Sequence, residues 1–355
     1  MAIKHLAGER MVGTAAERLA LTTAESNSAP HWQILGRSGE LTSSATDLTV
    51  TGITPKPYMM LLYHTLGDGG TVRRYVRFNN QSGGTAQYAG RFSTDGGTSS
   101  TSSPNADGIL GHNDGDDFSI ATVNQIMQSS TASDQEKLVI IQNATAHASN
   151  NTISTREIVG KWTNTSDTIH RVDIYNTGAN YVAGSELVVL GYDPADTSGT
   201  SAWAELASET ASSGDAITAT LDSTKKYLWV QCIIQGSSDG KWRFGNGSVD
   251  PNDNYSQVDT ANGGGYAGNN GRDNLECTYG SGYQLIEMFI INKANEKKLV
   301  IGHVTSIHGS TGGSNIPNRK EFAGRWDNTS DQMDIISCYG WGTISTATLK
   351  VWGFD

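Results

Sequence analysis

The sequence predicts an all-β chain: two tandem antiparallel β-sandwich domains, jelly-roll-like, that arose by internal duplication and follow a short N-terminal arm. Three observations predict it. Gly supplies 41 of 355 residues while charged residues make up only 17%, the profile of a turn-rich β protein. Short apolar runs rich in β-branched and aromatic residues alternate with Gly/Asn/Asp/Ser segments, as strands alternate with turns. Finally, a set of landmarks recurs in one order: KWTNTSD at 161–167 returns as RWDNTSD at 325–331.

The repeat extends well beyond that element. EKLVI (136–140) matches KKLVI (297–301), and VRFNNQS (76–82) matches WRFGNGS (242–248), followed by Tyr88 and Tyr255 respectively. HWQIL (31–35) matches AWAEL (202–206), and Tyr58 and Tyr227 each begin an apolar run. A unit of this length is a domain with its own core, since solenoid repeats run about 20–50 residues. The chain therefore divides into an arm (1–30), repeat one (31–193), a linker PADTSGTS (194–201) and repeat two (202–355).

Within the arm, AAERLALTTAE suits a short helix, which is marginal in water below about 12–15 residues. Such an arm reads as a tether that gains order by docking. In the repeats, YMMLLYHTL, KYLWVQCII, KLVIIQNAT, QLIEMFIIN and LVVLGY read as strands. HRVDIYN and MDIISCY alternate as half-exposed strands do. The Gly-rich stretches 93–108 and 259–274 read as loops at the sandwich ends.

A net charge of −11 and the lack of a basic stripe argue against nucleic acid as a partner. Cys232, Cys277 and Cys338 lie in repeat two without CxxC spacing. They read as buried free thiols, with one disulfide and a spare thiol as the alternative. The N-terminus has Lys4, Glu9 and Arg10 and no apolar h-region, so it does not read as a signal peptide. No run reaches the roughly 18 apolar residues of a membrane span, so no membrane insertion is expected.

There is no HExxH, no P-loop and no phosphate-binding GxGxxG placed between a strand and a helix. Neither catalytic, cofactor-binding nor metal-ligating residues are assigned. The repeated element reads as structural. Trp162 and Trp326 pack into the two cores with Phe78 and Phe244, while Asn164, Asn328, Asp167 and Asp331 hold tight turns through their own backbone. Its Asn-Thr-Ser also fits a glycosylation sequon, as several composition-driven matches do. His147 and His308 correspond but lack a partner at metal-ligand spacing. HNDGDD (112–117) departs from the EF-hand register and reads as a solvated turn. Trp242, Trp341 and Tyr266 are the candidate glycan-contacting aromatics, should the repeats be a carbohydrate-binding pair.

Taken with the duplication, the R-F-N/G-x-x-S…Y segment, the G-K/R-W element and the closing GSELVVLGYD (184–193) resemble virion structural proteins of tailed bacterial or archaeal viruses. Repeat two departs at its last strand, STATLKVWGFD. The resemblance implies a non-enzymatic, oligomeric protein on the particle surface: a capsid decoration, cement or turret protein, or a tail appendage. It implies assembly in the host cytoplasm and contacts with itself and with other virion proteins through residues 1–30. A carbohydrate-binding pair or receptor-binding fibre tip, which would add host-surface glycan as a partner, is the alternative. A β-sandwich polysaccharide-degrading enzyme ranks third.

Overall fold

A computed structural model describes residues 32–355 except 69–71, 83–86, 96, 98–99, 106, 115–116, 129–135, 148–152, 194–199, 262–266, 277–281 and 308–316. The arm, most of the linker, Tyr266, Cys277 and His308 therefore lie outside the described residues. Repeat one begins with β1 (Gln33–Arg37), β2 (Asp47–Thr51), β3 (Tyr58–Leu66), β4 (Val72–Phe78), β5 (Tyr88–Thr94) and β6 (Ser100–Asn105). It continues with β7 (Ile109–Asp114), β8 (Asp117–Met127), β9 (Lys137–His147), β10 (Ile153–Trp162), β11 (Arg171–Thr177) and β12 (Glu186–Tyr192). Repeat two has β13 (Ala204–Ala211), β14 (Ala216–Thr220), β15 (Tyr227–Gly236), β16 (Lys241–Asn246), β17 (Ser248–Val249) and β18 (Tyr255–Ala261). Its second half is β19 (Ala267–Arg272), β20 (Gly282–Ile291), β21 (Lys298–Ser306), β22 (Asn318–Trp326), β23 (Ile335–Tyr339) and β24 (Ile344–Phe354). The described residues include no helix.

Each repeat is a sandwich of one large and one small antiparallel sheet. The large sheets run β1-β12-β3-β8-β9-β10-β5-β6 and β13-β24-β15-β20-β21-β22-β18-β19. The small ones run β2-β11-β4-β7 and β14-β23-β16-β17. Irregularities recur with the topology: register shifts at Ile34/Gly36 in β1 and at the matching Glu205/Ala207 in β13. The repeats differ at the edge of the small sheet, where β7 pairs with β4. In repeat two that edge is held by the short β17, and the β7 position survives as a bridge between Trp242 and Leu275.

Alternate residues of the central strands enter two different cores. In β3, Met59, Leu61 and Tyr63 face the small sheet with Val76, Phe78, Val172 and Ile174. Met60 and Leu62 belong instead to a separate cluster shared with repeat two. Likewise Leu228, Val230 and Cys232 of β15 enter the second sandwich core, and Tyr227 and Trp229 the shared one. Burial on both faces explains why these strands read as continuous apolar runs rather than alternating ones.

Two expectations need correction. The stretches 93–108 and 259–274 are not loops throughout, because β6 and β19 lie within them as edge strands. An edge strand pairs through its backbone and needs no apolar signature, and it tolerates Pro104, which has no N–H to donate. The strands β11 and β23 are also more buried than half-exposed. Each sits inside its small sheet, and buried Asp173 is compensated by Arg171 and by the Thr49 hydroxyl, which donates to it at 2.7 Å.

Candidate functional site

The repeated Trp element is structural in both copies. Trp162 and Trp326 are fully buried, with ring centroids 5.5 and 6.4 Å from those of Phe78 and Phe244. Each indole N–H donates to a polar side chain, Gln81 Oε1 (3.0 Å) or Asp250 Oδ2 (2.9 Å). The preceding glycine is dictated by packing, since a Cβ on Gly160 would lie 2.7 Å from Ile109 and one on Gly324 2.6 Å from Leu275. Downstream, Asn164 Oδ1 accepts the backbone N–H of Ser166 and Asp167, and Asn328 Oδ1 those of Ser330 and Asp331. These are Asx-type turns. Asp167 also accepts from the Asn164 amide. A buried Tyr completes the unit: the Tyr88 and Tyr255 hydroxyls accept the Phe78 and Phe244 N–H groups at 3.1 and 2.9 Å.

Two proposed glycan-contacting aromatics are placed differently from expectation. Trp242 and Trp341 are fully buried, so neither presents a ring to a sugar. Trp242 occupies the second sandwich core from β16. Trp341 lies against Gly236 and Gly240 and donates to Cys338 Sγ at 2.9 Å. Cys232 is a buried free thiol and Cys338 is buried, and burial pushes the Cys232 thiol up to about 12.

Chemistry of another kind collects where the outer faces of the two large sheets meet. Ala144 and Ala146 of β9, Ile153 of β10, Val188 and Leu190 of β12 pack with Trp229, Leu299, Ile301, Ala323 and Trp352 in one apolar cluster. Ala144 and Ala146 of repeat one thus share the cluster with the larger Trp229, Leu299, Ile301 and Trp352 of repeat two. Polar pairs line one flank: Tyr227 donates to Glu186 (3.0 Å), and Lys226 pairs with Glu40 (3.0 Å). His64 Nδ1 lies 3.1 Å from Glu296; burial, then the Lys293 and Arg74 charges, push His64 down to about 3, so it is neutral at physiological pH.

Next to the alanines sits a polar row. Gln142 and Glu157 are direct cross-strand partners on β9 and β10, and His303 and Glu321 are direct partners on β21 and β22. Across the seam His303 Nε2 is 3.0 Å from Gln142 Nε2 and 3.7 Å from Glu157 Oε1. One ligand atom from each of Glu157, His303 and Glu321 lies within 4.8 Å of the others, a group able to hold a metal ion. Arg319 pairs with Glu321 Oε1 at 2.8 Å. Burial, then the Glu157 charge, pushes Glu321 up to about 7, against Arg319 and His303. The His303 hydrogen bond holds Glu157 below the usual carboxylate range, against burial. At neutral pH this leaves Glu321 close to half protonated beside the ionised Glu157. Sequence reading missed the group because its members come from distant strands. The available signal was the repeat alignment, which puts Gln142 opposite His303 and Glu157 opposite Glu321.

Beyond that row the seam opens. Leu138, Ile140 and Val159 are 57%, 49% and 54% exposed, whereas their duplicates Leu299, Ile301 and Ala323 are at most 4% exposed. The reverse holds on repeat two. There Ile233, Thr305 and Ile307 are exposed, while their duplicates His64, Ala144 and Ala146 are buried. Leu285, directly paired with Ile233, extends the exposed strip.

No protein family and no curated protein matches the chain. Among solved structures, it is similar to the LG1-3 region of the laminin alpha2 chain at 10% identity and a TM-score of 0.21, covering 87% of this chain. The chain spans 64% of that region's length. A second likeness is to human GIVD cytosolic phospholipase A2, at 7% identity and a TM-score of 0.10, over 84% of this chain and 33% of that one.

Proposed function

We propose that the chain is a non-enzymatic structural protein of a virion surface, a two-repeat body that assembles in several copies and attaches through residues 1–30. The observation that supports it is the open apolar strip on each large sheet. Scattered exposed apolar residues are ordinary, but contiguous strips mark interaction surfaces. Each strip is the duplicate of a surface already buried inside the chain. Leu138, Ile140 and Val159 match the residues that pack on Ala144 and Ala146, and the duplicates of those alanines, Thr305 and Ile307, form part of the other strip. Repeat one of one copy can therefore make with repeat two of another a contact related to the one it makes internally. Burying each Leu, Ile or Val contributes about 1.5–3 kcal/mol when complete.

Sedimentation of the purified full chain over a concentration series tests the assembly. Wild type is expected to associate, and Ile140→Lys with Leu285→Lys to shift it to monomer without lowering its melting temperature. A wild type that stays monomeric throughout sinks self-assembly. Attachment is tested separately: a chain lacking residues 1–30 should stay folded yet be lost from particles, and normal incorporation would rule the arm out.

A further inference from the structure

We propose that Glu157, His303 and Glu321 form a divalent transition-metal site, with Zn²⁺ as the matching cation, that ties the two repeats together. This goes beyond the structural reading above and stands whether or not the protein belongs to a virion. Duplication placed the same Glu on β10 and β22, and the seam then brings the two copies face to face. Two carboxylates so close repel unless a proton or a cation lies between them. The third member is what selects a metal over a proton. The counterpart of Gln142 is His303, and its Nε2 points at Gln142 and Glu157. One imidazole nitrogen with two carboxylate oxygens is a donor set of the kind that zinc sites use, with a further position for water. Ca²⁺ and Mg²⁺ prefer all-oxygen shells.

The surroundings suit such a site. A half-turn of the Gln142 amide would offer its Oε1 to the same point, making a fourth ligand. Arg319 engages one oxygen of Glu321, and a carboxylate can serve a guanidinium through one oxygen and a cation through the other. Glu157 and His303 keep about a third of their side-chain surface exposed, so the cation can enter from the open side of the seam. Repeat one supplies Glu157 and repeat two His303 and Glu321, so the bound ion bridges them and stabilises the seam by linkage.

The test is isothermal titration of the chelator-stripped full chain with Zn²⁺, then with Mg²⁺ and Ca²⁺, alongside Co²⁺ titration followed by visible absorption. One Zn²⁺ per chain is expected, with a raised melting temperature and Co²⁺ bands of a low-symmetry nitrogen–oxygen site. His303→Ala and, separately, Glu157→Gln should each lower Zn²⁺ affinity by more than about tenfold and remove the thermal shift. His170→Ala, an exposed histidine elsewhere, should change neither. If wild type binds no Zn²⁺, or both seam variants bind it as tightly as wild type, the proposal is overturned and the pair is held by a shared proton. Neither result bears on self-association or particle attachment, which are read by other measurements.

Discussion

The two repeats agree where they face their own cores and differ where they face each other. Inside each sandwich, the copies share a buried Trp on a close-packed glycine, a Tyr hydroxyl on a Phe backbone, an Asn-closed turn and an Arg donating to a carbonyl. That Arg is Arg77 to Asp107 and Arg243 to Asp273, each bond 2.8 Å long. On the outer faces of the large sheets the copies part company. Repeat one carries Ala144 and Ala146 where repeat two carries Thr305 and Ile307, and repeat two carries Trp229 where repeat one carries Met60. The lesson is that a core must suit itself, so each copy kept its solution. A face that packs against its own duplicate works better when one side is small and the other large, because close packing leaves little room for two large faces.

The largest effect should come from the two sandwich cores. Trp162→Ala and Trp326→Ala should each cost about 3–5 kcal/mol in chemical denaturation, and clearly unequal losses would break the equivalence of the two cores. Next comes a pair of substitutions at duplicate positions. Ala144→Glu buries a carboxylate in the seam and should cost about 3 kcal/mol. Thr305→Glu adds the same group on the open strip and should stay within about 0.5 kcal/mol of wild type. Equal costs would mean that the two sides of the seam are not distinct.

Smallest, and dependent on pH, is the acid pair, measured with cations removed by chelator. Glu321 sits higher in the folded chain, at about 7, than its ordinary value of 4.5, so folding favours its protonated form. That contribution is full below about pH 4.5 and is lost as pH rises through about 7. Glu321→Gln should therefore be more stable than wild type at pH 8, on the order of 2 kcal/mol, and nearly equal to it at pH 4.5. A variant less stable than wild type at pH 8 would show that the carboxylate is paired well enough to prefer its charge.

Much of the fold was legible because duplication prints its own control. Trp162 and Trp326, Phe78 and Phe244, Asn164 and Asn328 could each be read against a second copy, and their burial and turn geometry follow from local chemistry. Less was legible for β6 and β19, whose Ser/Gly/Asn content hides strands held by backbone pairing alone. The candidacy of Trp242 and Trp341 as glycan-contacting aromatics failed for another reason: an indole suits a glycan platform and a core equally well, and only its neighbours distinguish the two.

The sequence by itself determined that the chain is a duplicated β protein, because strand period, turn chemistry and landmark order are local properties. It also determined that Trp162, Trp326, Phe78 and Phe244 fill the sandwiches, since each could be read against its duplicate. Only the tertiary structure decided that the two large sheets meet on their outer faces. It alone brought Glu157 to Glu321, and it alone left Leu138, Ile140 and Val159 open while closing over Leu299, Ile301 and Ala323. Identical positions took opposite environments because the second face of a strand is assigned by the partner it meets.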